Sequence, residues 1–584
     1  MSTDRSAVIY EFDDVKIECR NFQILKNGAA LRITPRAFEV LLYLIENAGR
    51  VVSKQELFER VWKESFVTDN ALTRMVKEIR RVLGDDAAAP RYVETIPKRG
   101  YRFIAASEAH QQRQTTREKA RGFSSIAVLP FNTNGGDPNN EYLGEGIAES
   151  LINGLSKLSF LRVVPRSTVF YLRNQDLEPL SIGQKLNVRA VLTGRVAQRG
   201  ETLVISTELI DVAEQAQIWG EQYHRPLVDI FNLQEEISQK IFTELQLQLN
   251  PEEKERLIKR PTQNVEAYQL YLKGRYFWNR RPHGLIKGLE YFQQALRLDP
   301  NFALAYAGIA DAYNSTAYWE DTMKVPPTEV MPKGRAAAVK ALEIDPTLAE
   351  AHTSLANVRL HYDWDMPGAE ESFRRALTLN PNYAHARHLL SHLYILQGKI
   401  EESLDESLRA IELDPLNINI NGHLIWHHVI ARAPGEALLQ AEKTVELFPN
   451  DALGFLFGGL AHELNGDYER AIADFQKAEN FSGGVSETKG ALGHALARAG
   501  KTDAAREIAR DMERQRNQSF VSAHDIALVF AGLDENERAL HWLEQAVSDR
   551  SGRITYLAVE PRWDNLRGEA KFSELIGRIG VSSN

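Results

Sequence analysis

The sequence predicts a multidomain chain of α+β and all-α parts: a small α+β head, an α/β middle and an all-α repeat body. Three observations predict it. Near the start, short alternating segments precede three amphipathic stretches and a hairpin pattern. From Ser124, strand-like and helix-like patterns alternate. Further on, one phrase recurs as ALRLDP, ALEIDP, ALTLNP, AIELDP and TVELFP, with prolines at 300, 346, 381, 415 and 449.

In the head, VIYEFDDVKIECR and NFQILKNGAALRI read as a small antiparallel sheet, with Asn27-Gly28 as a turn signal. Thr34-Pro35 starts a helix whose buried beat is Phe38, Leu41, Leu42, Leu44 and Ile45, and Asn47–Gly49 ends it. Ser53 caps KQELFERVW, with Glu56 in capping-box position. The stretch TDNALTRMVKEIRRVL then puts Leu72, Met75, Val76, Ile79, Val82 and Leu83 on one helix face. Asn70, Thr73, Arg74, Lys77, Arg80 and Arg81 share the opposite face. RYVETIPKRGYRFI reads as strand, tight turn and strand, with Gly100 supplying an unusual backbone angle and Lys98-Arg99 at the tip.

Charge separates the head from the rest. Residues 1–121 carry 22 Lys+Arg against 17 Asp+Glu, and the remainder 48 against 62, within a net charge of −9. A basic head on an acidic body suits contact with a polyanion. The single cysteine, Cys19, excludes an intrachain disulfide and a cysteine-rich zinc cage. No signal-peptide core and no run of 18 apolar residues occurs, so no membrane span and a cytoplasmic location are expected.

The motifs LRITPRAFEVLLYLIENAGRVVSKQELFERVW, TDNALTRMVKEIRRVLGDD and YVETIPKRGYRF resemble the OmpR/PhoB-type winged helix, and more closely the CadC-like regulators. The resemblance implies a DNA-binding domain over residues 6–106, with double-stranded DNA as partner. It places Asn70, Thr73, Arg74 and Lys77 at base edges in the major groove, and Arg80 and Arg81 on phosphates. Lys98 and Arg99 at the hairpin tip face the neighbouring minor groove, and Arg102 of the same hairpin joins the DNA-binding set. It also makes the loop holding Trp62 and Phe66 a candidate contact of RNA polymerase, against core packing for Trp62, and allows a dimer on DNA. Residues 107–123 read as a polar, basic linker. The chain departs from the CadC pattern in lacking a membrane helix there. No receiver domain precedes the head, so control by aspartyl phosphorylation within this chain is not expected.

In the middle, SIAVLPF, EYLGEGIAESL, LRVVPRS and AVLTGRV resemble the TolB-like N-terminal domain, related to FlgO, over residues 124–250. SIAVLPF and LRVVPRSTV read as strands, and RAVLTGRVAQRG with ETLVISTELIDV as a hairpin. Gly144-Glu145-Gly146 is a fragment of a nucleotide loop, but G-x-G-x-x-G and G-x-x-x-x-G-K-[ST] are both absent. No cofactor and no catalytic residue are expected.

The proline gaps of 46, 35, 34 and 34 give the tetratricopeptide period, with one insertion around TAYWEDTMKVPPTEV. Small residues recur in phase at Gly288, Ala369, Ala437, Ala471, Ala505 and Ala539. The expectation is about eight repeats over 265–550 and a cap over 551–584. Carrying the repeat pattern over places His385, His388, His392, Asn357, Asp311 and Trp426 on a concave groove. That groove would take a protein or peptide partner, with imidazoles titrating between about pH 6 and 7. No carboxylate or cysteine completes a ligand set beside the histidines, so no metal is expected. The reading is a cytoplasmic one-component transcription regulator whose winged helix reads promoter DNA and whose middle and repeats sense a partner or ligand. The alternative is a repeat scaffold or adaptor whose winged helix serves protein contacts; an enzyme lacks any supporting motif.

Overall fold

The computed structural model divides into two units, Met1–Arg121 and Gly122–Asn584. It describes residues 8–18, 23–26, 29–31, 33, 35–61, 69–86, 89–96, 99–105, 108–111, 123–133, 138–158, 160–173, 177–247, 249, 260–280, 284–315 and 324–580. Trp62, Phe66, Lys98 and the Asn27-Gly28 turn lie outside these residues.

In the first unit, β1 (Val8–Phe12), β2 (Val15–Glu18), β3 (Gln23–Lys26) and β4 (Ala29–Leu31) form an antiparallel sheet. Helices α1 (Pro35–Glu46), α2 (Lys54–Val61) and α3 (Asp69–Leu83) follow, with β5 (Val52–Ser53) between the first two. The hairpin β6 (Val93–Ile96) and β7 (Gly100–Phe103) pairs with β5 in a second sheet. Alternation and helical periodicity converge on one core, where Phe38, Leu41, Leu44, Leu72, Val76, Ile79, Leu83, Tyr92 and Phe103 are buried. Met75 and Val82 pack at its margin. Gly100 is required by close approach: it has φ +149°, and a Cβ there would collide with the carbonyl oxygen of Val52.

Two local expectations change. Ser53 Oγ accepts from Glu56 N at 3.1 Å as an N-cap. The Glu56 carboxylate, however, turns to Arg50 at 2.7 Å and to the Tyr43 hydroxyl at 2.8 Å. The stretch read as linker begins with a strand, β8 (Glu108–Gln111), which pairs antiparallel with β1. The open edge of β1 offered unsatisfied backbone groups, and β8 covers it.

The second unit opens with β9 (Ser125–Val128), β10 (Asn132–Thr133), α4 (Pro138–Leu155) and β11 (Arg162–Val163). It continues through α5 (Arg166–Arg173), α6 (Pro179–Lys185), β12 (Ala190–Arg199), β13 (Thr202–Asp211), β14 (Ala216–Pro226) and α7 (Ile230–Glu244). The sheet order is β11-β9-β12-β13-β14, with β10 pairing β12. LRVVPRSTV is strand only at Arg162–Val163: Pro165, which has no N–H to donate, ends it, and Arg166 starts α5. Gly144 and Gly146 lie inside α4 rather than in a phosphate loop. A Cβ at Gly144 would strike the Phe131 carbonyl, and one at Gly146 would sit 2.8 Å from Leu272. They are there for close packing.

Eight helix pairs follow among the described residues, from Val265–Trp278 with Leu285–Leu298 to Ala523–Gly532 with Asn536–Asp549. The in-phase small residues sit where paired helices touch: Ala369, Ala437, Ala471, Ala505 and Ala539 are fully buried. Gly334 and Ser403 hold the two places the spacing left open, and both are buried. Two 3₁₀ turns, Gly552–Tyr556 and Pro561–Leu566, and the helix Ala570–Ile579 end the chain.

The α/β part and the repeats share one core. At the junction, Glu149 accepts from Arg275 Nε at 2.7 Å and is ion-paired with Arg166 at 3.0 Å, and Glu145 pairs with Arg280 at 2.8 Å. Further along, Thr168 Oγ1 donates to Asp414 at 2.9 Å, and Asn380 Nδ2 to Ser156 Oγ at 3.2 Å. Asp414 and Asn380 are the residues before the repeat prolines 415 and 381, so the turns of the repeat phrase carry the α/β layer.

Removing one member of a buried ion cluster strands its partners. Glu149→Gln is expected to destabilise this unit by about 3–5 kcal/mol, read by urea unfolding of the full chain. A change within about 0.5 kcal/mol would contradict the role given to the cluster.

Candidate nucleic-acid interface and repeat cavity

Burial of one side of α3 dictates what the other side presents. With Leu72, Val76, Ile79 and Leu83 in the core, Thr73, Lys77 and Arg81 are exposed on the face opposite. Asn70 and Arg74 fall on the same face by helical position. Arg99 is exposed at the tip of the β6–β7 hairpin. A helix with an exposed polar, cationic face and a cationic hairpin tip match the two grooves of B-DNA.

Two predicted cations have other work. Arg80 is half-buried: Nη2 donates to Val93 O at 2.7 Å and to Thr95 Oγ1 at 2.8 Å, and Nε to Val93 O at 3.3 Å. It ties α3 to β6 and so sets the angle between helix and hairpin. Arg102 pairs across the hairpin with Glu94 at 2.6 Å. Asp85 completes the frame by accepting from the backbone N–H groups of Arg91 at 2.6 Å and Val93 at 2.8 Å. Arg50 and Tyr43 hold the Glu56 carboxyl down to about 2, the Arg50 hydrogen bond being the larger cause.

In the repeats, Asp311, Asn357, His385, His388, His392 and Trp426 do converge, on one cavity of about 160 Å³. It is not the fully open groove expected from the repeat pattern, although His385 stays exposed at its margin. His388, His392 and Trp426 are buried at 4%, 1% and 8% exposure. The chain's own C-terminal turns lie across the concave side. Tyr556 packs edge-on against Trp426 with ring centroids 4.5 Å apart. Its hydroxyl meets His361 Nε2 at 2.9 Å and His392 Nδ1 at 3.5 Å. Arg550 donates to Tyr362 O at 2.9 Å, and Arg432 pairs with Asp564 at 2.8 Å.

The expected titration between pH 6 and 7 is also overturned. Burial pushes His388, His392 and His427 well below the usual imidazole range, with neighbouring histidines adding to the effect. Burial likewise lowers His423 to about 3 and His361 to about 4. These rings are neutral at physiological pH.

Sequence reasoning missed His361, His423 and His427. His423 lies 2.9 Å from His388, Nδ1 to Nε2, and His427 Nδ1 meets the Ser407 hydroxyl at 2.9 Å. A signal existed: His423 and His427 each stand 35 residues beyond His388 and His392, one more than the repeat period. Adding the 34-residue period to His388 and His392 lands on Gly422 and Trp426, each one residue short of a histidine. His388, His392 and His423 bring their ring nitrogens within 4.8 Å of one another.

Comparison with known proteins identifies the class. Residues 28–103 match the family of transcriptional regulatory protein C-terminal domains. Residues 122–240 match the HilA/YgeH-like transcriptional regulator second domain, and 384–415 the tetratricopeptide repeat. The chain is 24% identical over 430 residues to the transcriptional regulator HilA of Salmonella typhi, covering 71% of this chain and 72% of that one. It is 40% identical over 83 residues to the transcriptional activator CadC of Escherichia coli K12, covering 14% and 16%. A Rhizobium meliloti protein named as an adenylate cyclase is 33% identical over 187 residues, 32% of each chain. These matches define a transcriptional regulator with an OmpR/PhoB-type DNA-binding domain, a HilA-like second domain and tetratricopeptide repeats. Among the described residues no helix is long and apolar enough to cross a membrane.

Two outcomes follow from this geometry. Arg80→Met is expected to cost the first unit about 1–2 kcal/mol in urea unfolding, while Arg81→Met leaves its stability unchanged; equal effects would remove Arg80 from its tethering role. The second concerns acid. His361 has its pKa lowered to about 4 in the fold, against about 6.5 unfolded. Its contribution is complete above the unfolded value and is lost as pH falls towards 4, at about 1.4 kcal/mol per pH unit. His361→Gln should flatten the pH dependence of unfolding by about one proton in this window; an unchanged slope would contradict a neutral, buried His361.

Proposed function

We propose that the chain is a cytoplasmic one-component regulator that binds promoter DNA through α3 and the β6–β7 hairpin. In this reading Asn70, Thr73, Arg74 and Lys77 meet base edges in the major groove, Arg81 holds phosphates, and Lys98 and Arg99 enter the neighbouring minor groove. Arg80 and Arg102 act from behind, by fixing the hairpin. The observation that carries the reading is the exposure of Thr73, Lys77, Arg81 and Arg99 on a frame that Arg80 and Arg102 hold from within. The regulator names of the relatives support it.

The second unit takes the sensing role, with the cavity beneath Tyr556 as its receptor site. An extended peptide would have to displace the chain's own turns 552–566. A small ligand or ion would not, and the cavity volume favours that class.

Purified full-length chain and a fragment of residues 1–121 are both expected to bind duplex DNA. Some four to six phosphate contacts give a log–log salt slope of about −4 to −5, measured by fluorescence anisotropy. Arg99→Ala should weaken binding on all sequences alike. Arg74→Ala should relax base preference by about 1–3 kcal/mol at one position of a selected site. An affinity independent of salt would sink the interface.

A further inference from the structure

The cavity gathers His385, His388, His392 and His423 from two successive repeats, with His524 of the last repeat elsewhere in its wall. His388 and His392 project from the helix Ala384–Leu396, four residues apart and so on one face. His423 comes from the facing helix Ile418–Ile430. Their nitrogens all lie within 4.8 Å, and the His388–His423 pair already stands at 2.9 Å. We propose that His388, His392 and His423 form a binding site for a divalent transition-metal ion of the zinc class, with one coordination position open to the cavity. The inference deepens the sensing role given to this cavity. Metal binding itself reads it out, so it can fail without touching the DNA interface.

The geometry suits a small tetrahedral site. Zinc–nitrogen bonds of about 2.0–2.1 Å place ligand nitrogens about 3.3 Å apart. The His388–His423 pair opens slightly to reach that spacing. The third ring closes by about 1.5 Å at most, within reach of a χ rotation. Neutral imidazole is the form that ligates such ions, and burial holds all three rings neutral. On the outer side, the Tyr556 hydroxyl stands 3.5 Å from His392 Nδ1, in the position of a partner that orients a metal-bound histidine.

Charge and space agree with this. Asp311, Glu487, Asp525 and Glu560 line the cavity against two guanidinium groups, Arg553 and Arg562. Asp525 and Glu487 both pair with Arg553, at 2.9 and 3.0 Å. Arg275 also stands 3.7 Å from Asp311, so four carboxyl groups face three guanidinium groups, a small acidic excess that suits a dication better than an anion. About 160 Å³ remains beside the triad, room for a water or a small ligand donor in the fourth position. Because Tyr556 also holds His361, an ion here would be coupled directly to the turn that covers the cavity.

The test uses untagged full-length chain, stripped with chelator and titrated with Co(II), then with Zn(II) in competition. One equivalent per chain is expected, with the visible absorption of tetrahedral cobalt. His388→Gln and His423→Gln should each weaken binding about 100-fold or more, while His541→Gln, at an exposed site, changes nothing. X-ray absorption of the zinc-loaded wild type gives a readout that needs no variant: three imidazole nitrogens at about 2.0–2.1 Å. Absence of saturable one-to-one binding, a first shell of oxygen alone, or wild-type affinity in both folded variants would overturn the site.

Discussion

The second unit depends on one closure: Tyr556, beyond the last repeat, inserted among His361, His392 and Trp426 of earlier ones. Repeats of this kind touch only their neighbours, and a solenoid left to itself stays open along its concave side. Here residues separated by 195 and 164 positions meet at the Tyr556 hydroxyl. Ile554, Tyr556, Leu557 and Trp563 join the same core as the middle repeats. That burial turns a hydrated groove into a cavity, and it removes water from the histidines. Their low proton affinity comes from burial and from the neighbouring imidazoles of the repeats.

A second constraint sets how the α/β layer meets the repeats. Glu145 and Glu149 of α4 face Arg166, Arg275 and Arg280 in a buried cluster. Desolvating such charges offsets much of their attraction, so the cluster contributes less to net stability than to fixing one orientation. The turns before Pro381 and Pro415 repeat the arrangement with neutral donors. Gly146 lets α4 approach Leu272 of the first repeat helix, while Gly144 lets it approach the Phe131 carbonyl on the sheet side. A ligand that altered the cavity would therefore act on a body whose α/β and repeat parts move together.

Much of this was legible because it is periodic. The face of α3 follows from helical spacing, and Gly100 follows from a turn that no side chain tolerates. The repeats follow from prolines and small residues in phase, and Gly334 and Ser403 fill that phase where the letters changed. What was not legible is non-local. Nothing near Tyr556 announces that it meets His361, so the groove histidines carried an ordinary imidazole pKa in the reading. Arg80 looked like any other cation of its face, because its partner Val93 O is a backbone atom with no sequence signature. Glu56 sat at capping-box spacing, yet the stronger charge of Arg50 won its carboxylate. His423 lies one residue out of the repeat phase of His388, so the period alone points to Gly422 rather than to the third nitrogen of the triad.

The closure is tested most directly by native-state hydrogen exchange on the full chain, followed peptide by peptide. Amides of Gly552–Leu566 should be protected to the same opening free energy as those of the helices Ala384–Leu396 and Ile418–Ile430, since each buries the other. Fast exchange across Gly552–Leu566 beside slow exchange in those two helices would mean that the turns do not close the solenoid, and the cavity would revert to an open groove.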